Sequence, residues 1–332
     1  VSSLSVPLSP AENPADPHLW LYQSGLAVFA VMMAGRKIGA AHFSQEMNPL
    51  YLSFLISSLA LLFGLGVRWF SDRARLTYAP RQVARPVAVL ALGTLLGMVG
   101  ENSALRYISP VLNSLLNLSL YSFCVSLIAW KFGSGELVRF RAILPIIAVA
   151  VGGIIIFSRD DLRGLSLADS LAGLAWTLLS IVGWAGAIVA AANLVRTGVP
   201  VADVIALRFA GPALVLGPYL FLRGELGGGL DLSPGLILLA LLGYYIPFQF
   251  SFRSVKKVSV VTLAISTMTV PLLVYLLSMV FLDYPPMSRW QWLGAALTFG
   301  AVGYRLLAEL RPAPRYERGL TAEVLIKSNT GD

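Results

Sequence analysis

The stretch Ala104–Phe157, ALRYISPVLNSLLNLSLYSFCVSLIAWKFGSGELVRFRAILPIIAVAVGGIIIF, decides how the chain is to be read. Ser109-Pro110-Val111 opens an apolar run that passes through Asn117, Ser119 and Tyr121 to Trp130. A short basic link with Gly135-Glu136 follows, and a second apolar run extends from Ile143 to Phe157 with Gly152-Gly153 near its end. These runs predict two hydrophobic helices, since roughly 20 apolar residues at 1.5 Å each cross about 30 Å of hydrocarbon. A degraded copy runs from Ser251 to Leu307. In it Ser259-Val260-Val261 opens a run through Thr267, Thr269 and Pro271 to Leu282, Asp283 follows, and Trp292 to Leu307 carries Gly300 and Gly303. Two copies of one unit, about 150 residues apart, predict a duplicated membrane protein.

Composition points the same way. The 332 residues are 57% hydrophobic and 13% charged, with a mean hydropathy of +0.75, whereas a soluble domain carries about 25% charge. A net charge of +8 would suggest nucleic acid for a soluble chain. Here the basic residues sit in short links between apolar runs, where membrane topology explains them, so no nucleic-acid partner is expected. Cys124 is the single cysteine and lies inside an apolar run, which rules out an intrachain disulfide or a thiolate cluster and fits a small buried side chain. His18 and His42 lack a helix-spaced ligand partner, so no metal site is expected. Gly227-Gly228-Gly229 lacks the Lys-Ser/Thr of a phosphate-binding loop. With no enzymatic motif and no cofactor in prospect, transport would run on a proton or substrate gradient.

Ten spans can be cut: Leu19–Ala41, Pro49–Trp69, Pro86–Tyr107, Ser109–Phe132, Phe140–Phe157, Leu171–Leu194, Val201–Leu222, Pro234–Phe252, Val258–Leu282 and Trp290–Leu307. Residues 1–18 form a polar, proline-containing tail without the pattern of a signal peptide, and residues 309–332 form a second tail. Arginine and lysine collect after the second span (Arg68, Arg73, Arg75, Arg81, Arg85), after the fourth (Lys131, Arg139, Arg141), after the eighth (Arg253, Lys256, Lys257) and in the final tail. Those links, and with them both termini, are expected in the cytoplasm. The alternate links carry Glu46, then Asp160, Asp161 and Asp169, then Glu225 and Asp231. Because five is odd, the repeat over residues 170–308 must enter the bilayer inverted relative to the repeat over residues 19–158. The expected fold is thus an all-α membrane protein of ten transmembrane helices in two inverted five-helix repeats, a construction that places a site near the midplane and leads to alternating access.

The residues also resemble a family. Ala104-Leu105-Arg106-Tyr107, the Ser109-x-x-x-x-Ser114-Leu115-Leu116 that follows, Gly135-Glu136 and the closing Gly152-Gly153 are similar to the EamA-like repeat of the drug/metabolite transporter superfamily, and so is the second copy around Pro271. The resemblance covers about residues 20 to 308. It implies a multi-pass secondary transporter of the cell inner membrane, exporting a small organic metabolite such as an amino acid or an amphipathic compound. Tyr121 stands where the repeat usually has proline, and Asp283 near where it usually has glutamate; without that proline the fourth helix has less reason to bend. The alternative is a non-transporting scaffold or a subunit of a larger membrane complex.

Charges inside the spans are the sharpest candidates, because an ionisable group in hydrocarbon costs at least about 2.5–3.5 kcal/mol without a partner or a wet cavity. Arg36 and Lys37 stand some sixteen residues into the first span, about 24 Å along it, towards the outer face. They either snorkel to headgroups or pair with Glu101, which rise alone puts at comparable depth in the third span. Lys37 also falls where family members are similar in carrying a lysine. That pair is either static or a gate, with a proton-coupled carboxylate as one form of the latter. An offset of about 148 residues, which aligns Gly25-Leu26-Ala27 with Gly173-Leu174-Ala175, relates Glu101 to Gln249 and Arg36 to Trp184. Asn113, Asn117 and Tyr121 share a helix face with Cys124, and Thr262, Ser266 and Thr269 form a matching stripe beside Thr267. Asn113, Asn117, Tyr121, Trp184, Tyr245, Gln249 and Thr267 are the expected substrate cavity, with Trp176, Tyr244 and Phe248 as further aromatic candidates. Arg208, five residues after Asp203, reads as a snorkelling side chain.

Overall fold

The computed structural model describes residues 19–71, 80–131, 166–226, 232–254, 267, 270–282, 286, 288–297 and 300. All regular structure among them is helical: α1 (Leu19–Glu46), α2 (Pro49–Ser71), α3 (Pro80–Ala104), α4 (Pro110–Lys131), α5 (Leu167–Arg196), α6 (Val201–Leu222), α7 (Pro234–Ser254) and α8 (Val270–Phe281); residues 289–297 are helical as well. The span expected over Phe140–Phe157, the two tails, Thr262, Ser266, Thr269 and Asp283 lie outside the described residues. The same holds for Gly135-Glu136, Gly152-Gly153 and the links holding Arg73, Arg75, Asp160 and Asp161.

Local chemistry sets the ends. Asn48-Pro49, Ser109-Pro110 and Ser233-Pro234 repeat one device: proline at the first helical position needs no N–H partner, and the preceding side chain accepts a backbone N–H from the first turn. Asn48 Oδ1 accepts from Leu50 N at 2.9 Å, Ser109 Oγ from Leu112 N at 3.1 Å and Ser233 Oγ from Leu236 N at 3.2 Å. Ser166 caps α5 through Asp169 N at 3.1 Å, with the Asp169 carboxylate favourably placed in the first turn. The ends of α5 and α6 close alike. Gly198 at φ +92 and Gly224 at φ +71 take the left-handed position, and Val199 N and Glu225 N donate back to Leu194 O and Leu220 O.

Helix α7 changes pitch along its length. Leu239–Tyr245 is π-helical, between α-helical Pro234–Leu238 and Ile246–Ser254, and Ile246 N donates to Leu241 O five residues back. Pro247 follows immediately; it has no N–H to give, and its ring crowds the carbonyl four residues earlier, so a widened turn ahead of it relieves the conflict.

Five helical segments are long and apolar enough to cross a membrane: Pro49–Trp69, Val83–Ala104, Leu167–Arg196, Val201–Leu222 and Pro234–Arg253. Their outward positions are apolar too, including Leu62, Leu65, Trp69, Leu214, Val215, Phe221 and Leu222. Such a surface would associate in water and suits hydrocarbon, so the chain is a multi-pass membrane protein.

The helices pack in a definite pattern: α3 lies along α5 and α2 along α6, while α1 meets α7 and α8 and α4 meets α5 and α8. The α3–α5 crossing is a contact of backbones. A Cβ on Gly93 would lie 2.6 Å from Gly183 O, one on Gly100 2.7 Å from Ser180 N, and one on Gly183 against the backbone N of Gly97. Small residues spaced along one face permit such an approach where no hydrophobic force drives helices together. Ser180 Oγ donates to Gly97 O at 3.0 Å across the same seam.

Candidate functional site

Close approach of α3 and α5 places Trp184. Its indole lies over Gly97, where a Cβ would meet the ring at 2.6 Å, and from there Nε1 donates to Glu101 Oε2 at 2.8 Å. Glu101 is wholly buried and also receives Arg36 Nη2 at 3.0 Å to both carboxylate oxygens and Lys37 Nζ at 2.7 Å. Three donors from two other helices thus converge on one carboxylate. Lys37 Nζ further donates to Asn113 Oδ1 at 2.7 Å, and Asn113 Nδ2 donates to Thr177 Oγ1 at 3.1 Å, so the cluster joins α1, α3, α4 and α5. Asn117 Nδ2 reaches the same Asn113 Oδ1 at 3.1 Å.

Arg36 and Lys37 do not snorkel. They are 3% and 4% exposed, held among the helices by Glu101 and Asn113, and α1 runs on about 15 Å past Arg36 to Glu46. The Arg36 stem passes Gly243 of α7, where a Cβ would sit 3.2 Å from Arg36 Cβ, and its guanidinium lies 4.9 Å from the Tyr244 ring and 5.2 Å from Trp184.

Beside this cluster, towards the start of α1, is a cavity. It is lined by Phe29, Met33, Arg36 and Lys37 of α1, Ser114, Asn117 and Tyr121 of α4, Trp184 and Ile188 of α5, Arg208 of α6, Phe248 and Ser251 of α7, and Thr267 and Val270. Of the expected cavity residues, Asn117, Tyr121, Trp184 and Thr267 are in its wall. Asn113 stands behind the wall, fully buried and bonded to Lys37 and Thr177.

Tyr245 and Gln249 are elsewhere. Gln249 Nε2 donates to Tyr245 Oη at 2.7 Å, and the Tyr245 ring faces Phe63 of α2 at 6.1 Å. Adjacent positions on a helix point roughly 100° apart. It is therefore Tyr244 and Phe248, one residue earlier, that turn to the charges and the cavity. The offset relating Glu101 to Gln249 follows sequence register, which the π-helical turns of α7 break.

Arg208 is the residue that sequence reasoning missed. Seven residues into α6 it is only 1% exposed. Its guanidinium lies 3.8 Å from the Phe248 ring centroid, 4.8 Å from Trp184 and 5.5 Å from Phe252, close enough for cation–π attraction. Asp203 does not reach it but pairs with Arg68 at 2.8 Å. The signal available in the sequence was its depth of about 10 Å within an apolar span, which is beyond an easy stretch to the interface. Arg36, Lys37 and Arg208, with Glu101 buried behind the first two, make a polar wall able to bind and orient a charged group. No cluster of three or more metal-ligating side chains occurs among the described residues.

Residues 171–304 match the family model of the EamA-like transporter family. Over that stretch, less than half of the chain, it is similar to a family of membrane transporters. No curated protein matches the chain at a significant level. A solved structure described only as a crystal structure of a protein is similar over 87% of this chain and 99% of its own, with a TM-score of 0.62 and 20% identity, which establishes a shared fold.

Proposed function

We propose that this protein is a secondary transporter that moves a small organic metabolite across the inner membrane by alternating access, and that the cavity beside Trp184 is where the substrate sits. The observation that carries the proposal is the position of that cavity. It is walled by α1 and α4 from the first predicted repeat and by α5, α6 and α7 from the second, which is where inverted-repeat transporters hold their cargo.

Helix contacts support a two-fold relation between the repeats. The packing of α3 on α5 is mirrored by that of α7 on α1, and the packing of α4 on α5 by that of α8 on α1. The α2–α6 and α4–α8 pairs are each their own mirror partners. With cytoplasmic termini, the cavity lies on the cytoplasmic side of the Arg36–Glu101–Lys37 cluster. Beyond the cluster, towards the outer face, Gln45 Nε2 donates to Leu105 O at 3.0 Å and Arg106 Nε to Ser44 O at 3.2 Å. In this reading the charge cluster and these bonds form an outer gate, closed here, and export follows when they part. Glu101 is the charge on which that cycle turns.

Purified protein in proteoliposomes tests the proposal with a panel of labelled amino acids, organic acids and amphipathic amines. Saturable, protein-dependent flux driven by a solute or proton gradient supports it. Absence of flux for every class, together with stable co-purification of other membrane subunits, favours a scaffold.

A further inference from the structure

Among the described residues, the cavity carries more positive charge than it neutralises. Arg36, Lys37 and Arg208 are buried there against one carboxylate, Glu101, which is already engaged by Arg36, Lys37 and Trp184. Arg208 has only aromatic neighbours for its charge among the described residues, and its Nε and Nη1 atoms are buried without a hydrogen-bond partner. Arg36 Nε and Nη1 are in the same condition. Buried guanidinium N–H groups are costly to leave unmet, and two guanidinium groups with free edges share one indole between them, since both lie about 5 Å from Trp184.

A planar guanidinium offers paired N–H groups in the spacing of two oxygens on a carboxylate or phosphate. The rings of Phe248 and Trp184 flank the Arg208 guanidinium, and Arg208 and Arg36 both line the cavity in which such a partner would sit. The lining also includes apolar Phe29, Met33, Ile188 and Val270. From the unmet donors of Arg208 and Arg36, and resting on the transporter reading of the same cavity, we infer that the cargo is a small organic anion, its oxyanion head held by Arg208 with Arg36 and its apolar or aromatic body laid against those apolar residues. Arg208 is then a substrate-binding residue, and Glu101 sets how much of the remaining positive charge the ligand must balance.

Binding and flux are measured separately, so that failure of the inference and failure of the transporter reading can be told apart. Phenylacetate, phenyl phosphate, phenylalanine and phenethylamine present one ring with anionic, zwitterionic or cationic heads. Calorimetry on detergent-purified protein is expected to give one or both anions an affinity at least about tenfold above the zwitterion and the amine, the ratio expected when one charge-assisted bond is lost. The two anions separate a carboxylate head from a phosphate head. Arg208→Gln should abolish that preference while raising the melting temperature of the ligand-free protein, because it removes an unmatched buried charge. Arg208→Lys, which keeps the charge and loses the fork, should bind the anions more weakly than wild type. Anion binding without flux leaves the anion site at Arg208 and Arg36 standing and counts against the transporter reading. Flux or binding of the amine or the zwitterion with no anion preference, or an anion preference unchanged in both Arg208 variants, overturns the inference.

Discussion

Glu101→Gln is the most informative single change, because among the described residues Glu101 is the only acidic group in the cluster it holds together. In the wild-type protein the carboxylate accepts from Arg36 at 3.0 Å, Lys37 at 2.7 Å and Trp184 Nε1 at 2.8 Å, with no exposure to solvent. The amide keeps the shape but removes the charge, and it turns an NH2 group towards donors. Removing one partner of a buried pair costs about 3–5 kcal/mol, so the expected loss is at the upper part of that range, or about three orders of magnitude or more in the folding equilibrium. The second change, Lys37→Met, removes one of the stranded cations. It leaves Asn113 Oδ1 with its bond from Asn117 at 3.1 Å, so no acceptor is orphaned, and Glu101→Gln/Lys37→Met should be more stable than Glu101→Gln alone by about 1.5 kcal/mol or more. Reversible unfolding in mixed micelles titrated with SDS measures both. A Glu101→Gln protein within about 0.5 kcal/mol of wild type, with no rescue by Lys37→Met, refutes the pairing of these charges in the folded protein.

Other outcomes follow from particular contacts. Gly183→Ala puts a methyl group onto the backbone of Gly97 and should destabilise the protein by about 1–3 kcal/mol, measured in the same titration. Gly66→Ala, where a Cβ meets nothing within 4 Å, should be close to neutral. Asn117→Trp fills the cavity and should remove saturable flux from proteoliposomes with folded yield retained, whereas Gln249→Leu, outside the cavity wall, should leave flux near wild type. In a Cys124→Ser background, Thr197→Cys should resist an impermeant maleimide in intact cells and Arg223→Cys should react; the reverse pattern overturns the orientation drawn from the basic links.

Helix positions were largely legible in the sequence, because Asn48-Pro49, Ser109-Pro110 and Ser233-Pro234 combine a cap with a compatible first residue, and such signals are local. The third helix begins at Pro80 instead of Pro86, as a proline near a helix start is tolerated and need not mark its boundary. Arg36, Lys37 and Glu101 stood out since charge inside an apolar span demands a partner, and rise per residue gave their similar depth. Trp184 was found through the repeat offset, yet its role depends on the α3–α5 crossing, whose glycines at 93, 97 and 183 come from distant parts of the chain. Tyr245 and Gln249 were misplaced because a face on α7 depends on its π-helical turns, and no simple periodicity forecasts those. Arg208 was passed over because snorkelling and burial differ by only a few ångströms of depth, and the aromatic rings that receive it belong to α5 and α7.

The cavity wall at Asn117 offers the most direct test of alternating access. Asn117→Cys in the Cys124→Ser background, reconstituted in right-side-out and inside-out vesicles, can be exposed to a small charged methanethiosulfonate from one face at a time. Reaction from both faces, slowed from both by a transported solute, is expected of a site that opens to each side in turn. Reaction from a single face only, unaffected by any transported solute, would contradict it.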